Sequence, residues 1–183
     1  LRAMPNLMVF RPADGIETAE CWQAALEHRE TPSLMALSRQ KTPAVRLAAA
    51  DRNLSAHGAY ELAPAAGEAR VTIFASGTEV AIAMAAREEL QGEGIGTRVV
   101  SAPCWELFES QPLSYRLETI GGSAVRLAVE AGVRQGWERF IGEDGGFIGM
   151  TGFGASAPAE RLYREFGITA EAVAAEARAK LRA

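Results

Sequence analysis

The sequence is poor in the residues from which most site chemistry is built. Among 183 residues there are two cysteines and two histidines. Cys21 and Cys104 stand far apart, so no disulfide framework of the kind found in small secreted scaffolds is present. His28 and His57 have no metal-ligand spacing with either cysteine, which excludes structural zinc. No run approaches the ~18 uninterrupted apolar residues of a membrane-spanning helix. Neither sign of charge dominates: 19 Lys and Arg against 23 Asp and Glu leave a net charge of −4. With no long basic run, nucleic acid is not an expected partner. There is no signal-peptide pattern, and the scarcity of cysteine fits the cytoplasm.

What is present is a globular mixture, 48% apolar and 23% charged, of a length suited to one domain or one and a piece. The apolar run Leu7-Met8-Val9-Phe10, closed by Arg11-Pro12, predicts a buried strand. Asp14 followed three residues later by Glu17 is a capping-box pattern opening a helix, with Ala19, Trp22 and Leu26 at helical spacing. Thr31-Pro32 ends it, and Leu34-Met35-Ala36-Leu37 predicts a second strand. Strand, helix and strand make one crossover between parallel neighbours, too little to bury a core alone. This opening unit, which starts at Leu1 rather than at a Met, therefore reads as the cut end of a domain.

Lys41 to Gly67 holds Pro43, Asp51, Asn53, Ser55, Gly58, Pro64 and Gly67 with no long periodic segment, and reads as a connector. A complete α/β pattern follows. Strands are predicted at Val71–Ala75, Arg98–Ser101, Arg126–Ala131 and Phe147–Met150. The first feeds a helix through Ser76-Gly77-Thr78-Glu79, and Gly92 and Gly94 stop that helix. Pro103 to Ile120 predicts short helices or irregular chain anchored by Trp105, Leu107 and Phe108; Gly136 to Ile141 a short helix around Trp137 and Phe140. Two last helices carry Ala159, Leu162, Tyr163 and Phe166, then, after the cap Thr169, Val173, Ala174, Ala177 and Leu181. The expected fold is α/β: a mostly parallel open sheet with helices on both faces, preceded by a partial βαβ segment.

In such sheets ligands bind beyond the carboxyl ends of the strands. Arg39, directly after the second strand and flanked by Ser38 and Gln40, offers a planar fork of donors suited to phosphate or carboxylate. The same residue would equally serve as an ion-paired arginine at a domain contact. The Ser76–Glu79 turn reads as a plain N-cap rather than an anion site, since the dinucleotide fingerprint needs three spaced glycines. Glu130, at a strand end, could act as an acid or base or cap the following helix. The glycines from Gly142 to Gly154 are followed by no Lys-Ser/Thr pair of a phosphate loop. Cys104 reads as a buried thiol, and His28 as a favourable group at a helix end.

Several stretches together resemble the carboxy-terminal part of transketolases. They are Phe10-Arg11-Pro12-Ala13-Asp14 with Trp22, Ala36-Leu37-Ser38-Arg39-Gln40, Ala75-Ser76-Gly77-Thr78-Glu79-Val80 and Arg98-Val99-Val100-Ser101. Val129-Glu130-Ala131-Gly132 and the run from Gly149 to Pro158, continuing into Leu162 and Phe166-Gly167, are the most specific. The resemblance covers essentially the whole chain, apart from Thr42 to Ala56. It implies that residues 1–50 are the tail of a pyrimidine-binding domain, 51–67 a linker, and 68–183 the carboxy-terminal domain. It also implies two-carbon ketol transfer between sugar phosphates, with thiamine diphosphate and Mg, in a cytoplasmic homodimer. Within this chain it assigns one site residue, Arg39, to the sugar phosphate. The activating Glu, the histidines near the thiazolium and the metal ligands belong to segments this chain lacks, so the polypeptide alone is expected to be inactive. The alternative is a free-standing small-anion-binding or subunit-assembly module.

Overall fold

The computed structural model describes residues 1–46 and 50–183. Part of the expected connector, residues 47–49, lies outside the described residues. The opening unit is a two-stranded parallel sheet, β1 (Met8–Phe10) and β2 (Ser33–Met35), bridged by α1 (Gly15–Glu27). Its register pairs Met8 with Ser33 and Phe10 with Met35. The capping box at α1 forms as its sequence predicts. Asp14 accepts from the Glu17 N–H at 2.9 Å, and the Glu17 carboxylate reaches back to the Ala13 N–H at 2.7 Å.

The packed face of α1 differs from the expected one. Ala19 is exposed, Trp22 is 50% exposed and Leu26 70%, while Glu17, Cys21 and Ala24 are buried. The apolar periodicity was satisfied on two stripes of the helix, and the stripe carrying the small residues and the capping Glu is the one turned inward. Cys21 and Ala24 pack with Met8, Phe10, Cys104 and Leu107, a cluster that joins the opening unit to the rest of the chain.

The second sheet has the order β3-β5-β4-β6-β7. These are β3 (Tyr60–Ala63), β4 (Val71–Ala75), β5 (Thr97–Ser101), β6 (Val125–Glu130) and β7 (Gly146–Gly149). All neighbours are parallel except β3, which runs antiparallel along β5. β3 lies within the stretch that the sequence presents as connector; four residues between Gly58 and Pro64 carry too short a pattern to announce a strand. Helices α2 (Glu79–Gly92), α3 (Trp105–Glu109), α4 (Leu113–Ile120), α5 (Glu138–Ile141), α6 (Ala159–Glu165) and α7 (Ala170–Arg182) complete the fold.

Alternation along β4 sorts the two faces. Val71, Ile73 and Ala75 pack with Ala83, Ala86 and Leu90 of α2 and with Val173, Ala174 and Ala177 of α7. Phe74 faces the other way, into an aromatic layer of Trp105, Phe108, Trp137 and Phe140. Trp105 meets Trp137 edge-on at 4.8 Å, and Phe108 stacks on Phe140 at 5.0 Å, spacings at which aromatic pairs add to simple burial. Helices therefore cover both faces, as the alternating pattern implies. The strand connections diverge on either side of β4, so the topological switch lies between β4 and β6.

Candidate functional site

Two arginines close the two strands of the opening sheet, and they meet opposite fates. Arg11 follows β1 directly and is drawn into the crevice beyond the carboxyl ends of β4 and β6. Its main chain is fixed at both polar atoms: its N–H donates to the Pro103 carbonyl and its carbonyl accepts from the Gly77 N–H, each at 2.8 Å. Nη2 donates to Glu79 Oε2 at 2.9 Å, and Nη1 ion-pairs with Glu130 Oε1. Gly77 is at φ +62°, and a Cβ there would stand 3.3 Å from the Arg11 guanidinium. Only a residue without a side chain suits both the turn and the guanidinium lying over it.

Glu130 is the centre of this crevice. It accepts from Arg2 Nη1 on both oxygens, at 2.9 and 3.0 Å, from Ser76 Oγ at 3.0 Å and from the Trp137 indole N–H at 2.9 Å. Arg2 also lies over the Trp105 ring, 3.5 Å from its centroid. Burial would raise the Glu130 carboxyl, but Arg2 and Arg11 outweigh it and hold it below the usual carboxylate range. Burial likewise opposes the charge on Arg11, and Glu79 and Glu130 reverse that and raise it. Glu130 is thus a saturated ionised acceptor, neither a proton donor nor a helix cap. Both sequence-level alternatives for it give way to a third, an anchor for arginines.

The Ser76–Glu79 turn is also corrected. Thr78 stands at the N-cap position of α2 in helical conformation, and its side chain makes no cap hydrogen bond. Its hydroxyl donates to Glu79 Oε1 at 2.8 Å and lies 2.9 Å from the Tyr163 hydroxyl oxygen. With Ser76, Thr78 and Glu79 all engaged within the chain, the turn presents no free anion site. Cys104 is fully buried, donates to Glu106 Oε2 at 3.3 Å, and has its thiol pushed up to about 12 by burial, far from a reactive thiolate. His28 caps α1 through the Ala24 carbonyl, 2.8 Å from Nδ1.

Arg39 lies four residues beyond the last residue of β2 and is exposed. Ser38 Oγ donates to the Gln40 carbonyl at 2.9 Å, tightening the turn that carries it. Arg39 and Gln40 form one wall of a groove of about 650 Å³; Ser156, Ala157, Pro158, Ala159 and Leu162, at the start of α6, form the other. Among the described residues none pairs with the Arg39 guanidinium. The arrangement leaves the guanidinium open to a small anion or to a carboxylate from outside this chain.

Sequence reasoning missed Arg2, Arg11, Glu79 and Tyr163 as a set. The one available signal was Arg11 itself, a charged residue directly abutting a fully apolar strand, since a charge in that position needs a buried partner.

Residues 58–169 match the family described as Transketolase-like TK C-terminal domain, and residues 1–45 match Transketolase, pyrimidine binding domain. The chain belongs to the transketolase family. A transketolase of Sinorhizobium medicae is 59% identical over 183 residues, covering all of this chain and 26% of its own length. The solved transketolase from Leishmania mexicana superposes with a TM-score of 0.88 at 41% identity, over 100% of this chain and 26% of that one. The transketolase of Pichia stipitis in complex with sedoheptulose-7-phosphate gives a TM-score of 0.89 at 34% identity, over 99% and 26%. This chain therefore spans about a quarter of the length of the transketolases it matches. Among its described residues there is no group of three or more His, Cys, Asp or Glu that could hold a metal ion. No helix among them is long and apolar enough to cross a membrane.

Proposed function

We propose that this chain is the carboxy-terminal part of a transketolase that moves a two-carbon ketol unit between sugar phosphates. Arg39 grips the phosphate of the sugar, as a planar, permanently charged fork of donors does well. The observation that carries this is the exposed Arg39, four residues beyond β2 and facing an open groove, with no partner for its guanidinium among the described residues. Residues 1–50 supply the tail of a pyrimidine-binding domain. β3 and the family match that begins at residue 58 favour a carboxy-terminal domain that starts there, inside the stretch 51–67 that the sequence presents as linker. Thiamine diphosphate and Mg would serve the whole enzyme, a cytoplasmic homodimer in this reading, with carbanion stabilisation as the chemistry the cofactor would supply. This chain's contribution is to bind and orient the phosphorylated end of the substrate.

The test is Arg39→Ala in the full-length protein. KM for phosphorylated ketoses should rise by the equivalent of about 2–4 kcal/mol, the worth of a charge-assisted bidentate contact, while an unphosphorylated ketose is unaffected. An equal loss for both donors rejects the phosphate role. By itself the 183-residue chain is inactive in this reading. Tight calorimetric binding of thiamine diphosphate with Mg²⁺ by the isolated chain would overturn that.

A further inference from the structure

Glu79 stands where the two walls of the Arg39 groove are tied together. The first wall grows from β2, and β2 is held by β1 through the Phe10–Met35 pair and the Ala36 N–H donating to the Phe10 carbonyl at 2.8 Å. The next residue of that strand, Arg11, donates to Glu79 Oε2. The second wall is the start of α6, and Tyr163 on that helix donates its hydroxyl to the other carboxylate oxygen, Oε1. Glu79 is fully buried, and between them Arg11, Tyr163 and Thr78 use both of its oxygens. A single carboxylate thereby receives one hydrogen bond from each side of the groove.

Resting on the phosphate role of Arg39, we propose that Glu79 is a positioning residue for phosphorylated substrates. Through Arg11 and Tyr163 it fixes the separation between the Arg39 strand end and the facing start of α6. The chemistry requires an acceptor on both sides. A glutamine at this position keeps one accepting oxygen for Arg11, which cannot accept, and must turn its amide donors toward Tyr163. It also deletes the charge that, with Glu130, neutralises Arg11. The groove would keep its residues and lose its fixed width.

The experiment compares Glu79→Gln, Tyr163→Phe and Arg39→Ala in the full-length enzyme, with a phosphorylated and an unphosphorylated ketose as donors. Glu79→Gln should raise KM for the phosphorylated donor by about tenfold with kcat within about twofold, and leave KM for the unphosphorylated donor in place. Tyr163→Phe keeps the carboxylate and its pair with Arg11, so a smaller rise, about threefold, is expected, and it carries the test if Glu79→Gln does not fold. If Arg39→Ala discriminates between the donors while neither other variant does, Glu79 is merely structural and the inference is overturned. Equal effects of Glu79→Gln on both donors overturn it too. Should Arg39→Ala itself fail to discriminate, the phosphate role falls first.

Discussion

Arg11 and Arg39 follow neighbouring strands of one small sheet, and the difference between them is one of surroundings rather than sequence. Arg11 is enclosed by the loops after β4, β5 and β6, with both main-chain groups and its guanidinium engaged. Arg39 projects from a two-residue-wide turn into an open groove. The crevice at the switch point of the larger sheet, the place where such folds ordinarily take a ligand, is lined by Arg2 and Arg11 of the chain itself, both paired with Glu130. In the proposed function the binding role falls instead to the adjoining strand end. Of two equal charges, one then joins the two units of the chain and the other meets a phosphate.

The sharpest way to break this contrast is to exchange the readouts. Arg11→Ala removes one partner of a buried ion-pair network and leaves Glu79 and Glu130 short of a cation. Denaturant unfolding should register a loss of about 3–5 kcal/mol. Arg39→Ala should do the reverse, with unfolding unchanged within about 0.5 kcal/mol and the whole effect, about 2–4 kcal/mol, confined to phosphorylated donors. A stability loss at Arg39 similar to that at Arg11 would erase the distinction.

A third comparison uses the opposite kind of buried charge. Glu17 accepts from Tyr60 at 2.6 Å and from Ala13 at 2.7 Å, with no cation against it, and burial pushes its carboxyl up. A carboxyl raised on folding holds its proton more tightly in the native state, so its stabilising contribution is complete below the unfolded value and declines as pH rises through the folded one. From about pH 4.3 upward this group should cost stability at a slope of at most about 1.4 kcal/mol per pH unit. Glu17→Gln should remove that component of the pH profile, whereas Glu130, held low by its arginines, contributes stability that disappears only toward acid pH. An unchanged profile in Glu17→Gln would mean that the carboxyl binds its proton equally in the folded and unfolded chains. The smallest effect is expected on the outer stripe of α1: Trp22→Ser, at a half-exposed position, should alter the stability of this chain by no more than about 0.5 kcal/mol.

Much of the architecture was legible because its signals are local. Val71–Ala75 is an apolar run interrupted only by the β-branched Thr72 and followed by turn residues, and the strand has those same limits. Asp14 and Thr169 cap helices because a short oxygen-bearing side chain ahead of an apolar period does so almost anywhere. The inward face of α1 was not legible, since Trp22 and Leu26 outweigh Cys21 and Ala24 in hydrophobicity, and the choice depends on how closely α1 must approach Met8, Phe10 and Leu107. β3 escaped notice because an edge strand of four residues is stabilised by pairing with β5, not by its own pattern. Arg39 was identified from its place after a strand and from family resemblance. The network around Glu130 joins residues from Arg2 to Trp137, and nothing in a linear pattern places them together.

The antiparallel course of β3 also governs how the chain is threaded. Because Tyr60 pairs with Ser101, the polypeptide enters the larger sheet at the same rim where Arg11 is anchored. The chain ahead of it is tied back to α1: the Val45 and Arg46 N–H groups donate to Asp14 Oδ2 at 3.0 and 2.9 Å, and Arg46 pairs with Glu20. Extra residues inserted between the exposed Asp51 and Arg52 would lengthen the connection at a modest, logarithmic entropic cost, leaving the anchors on either side in register.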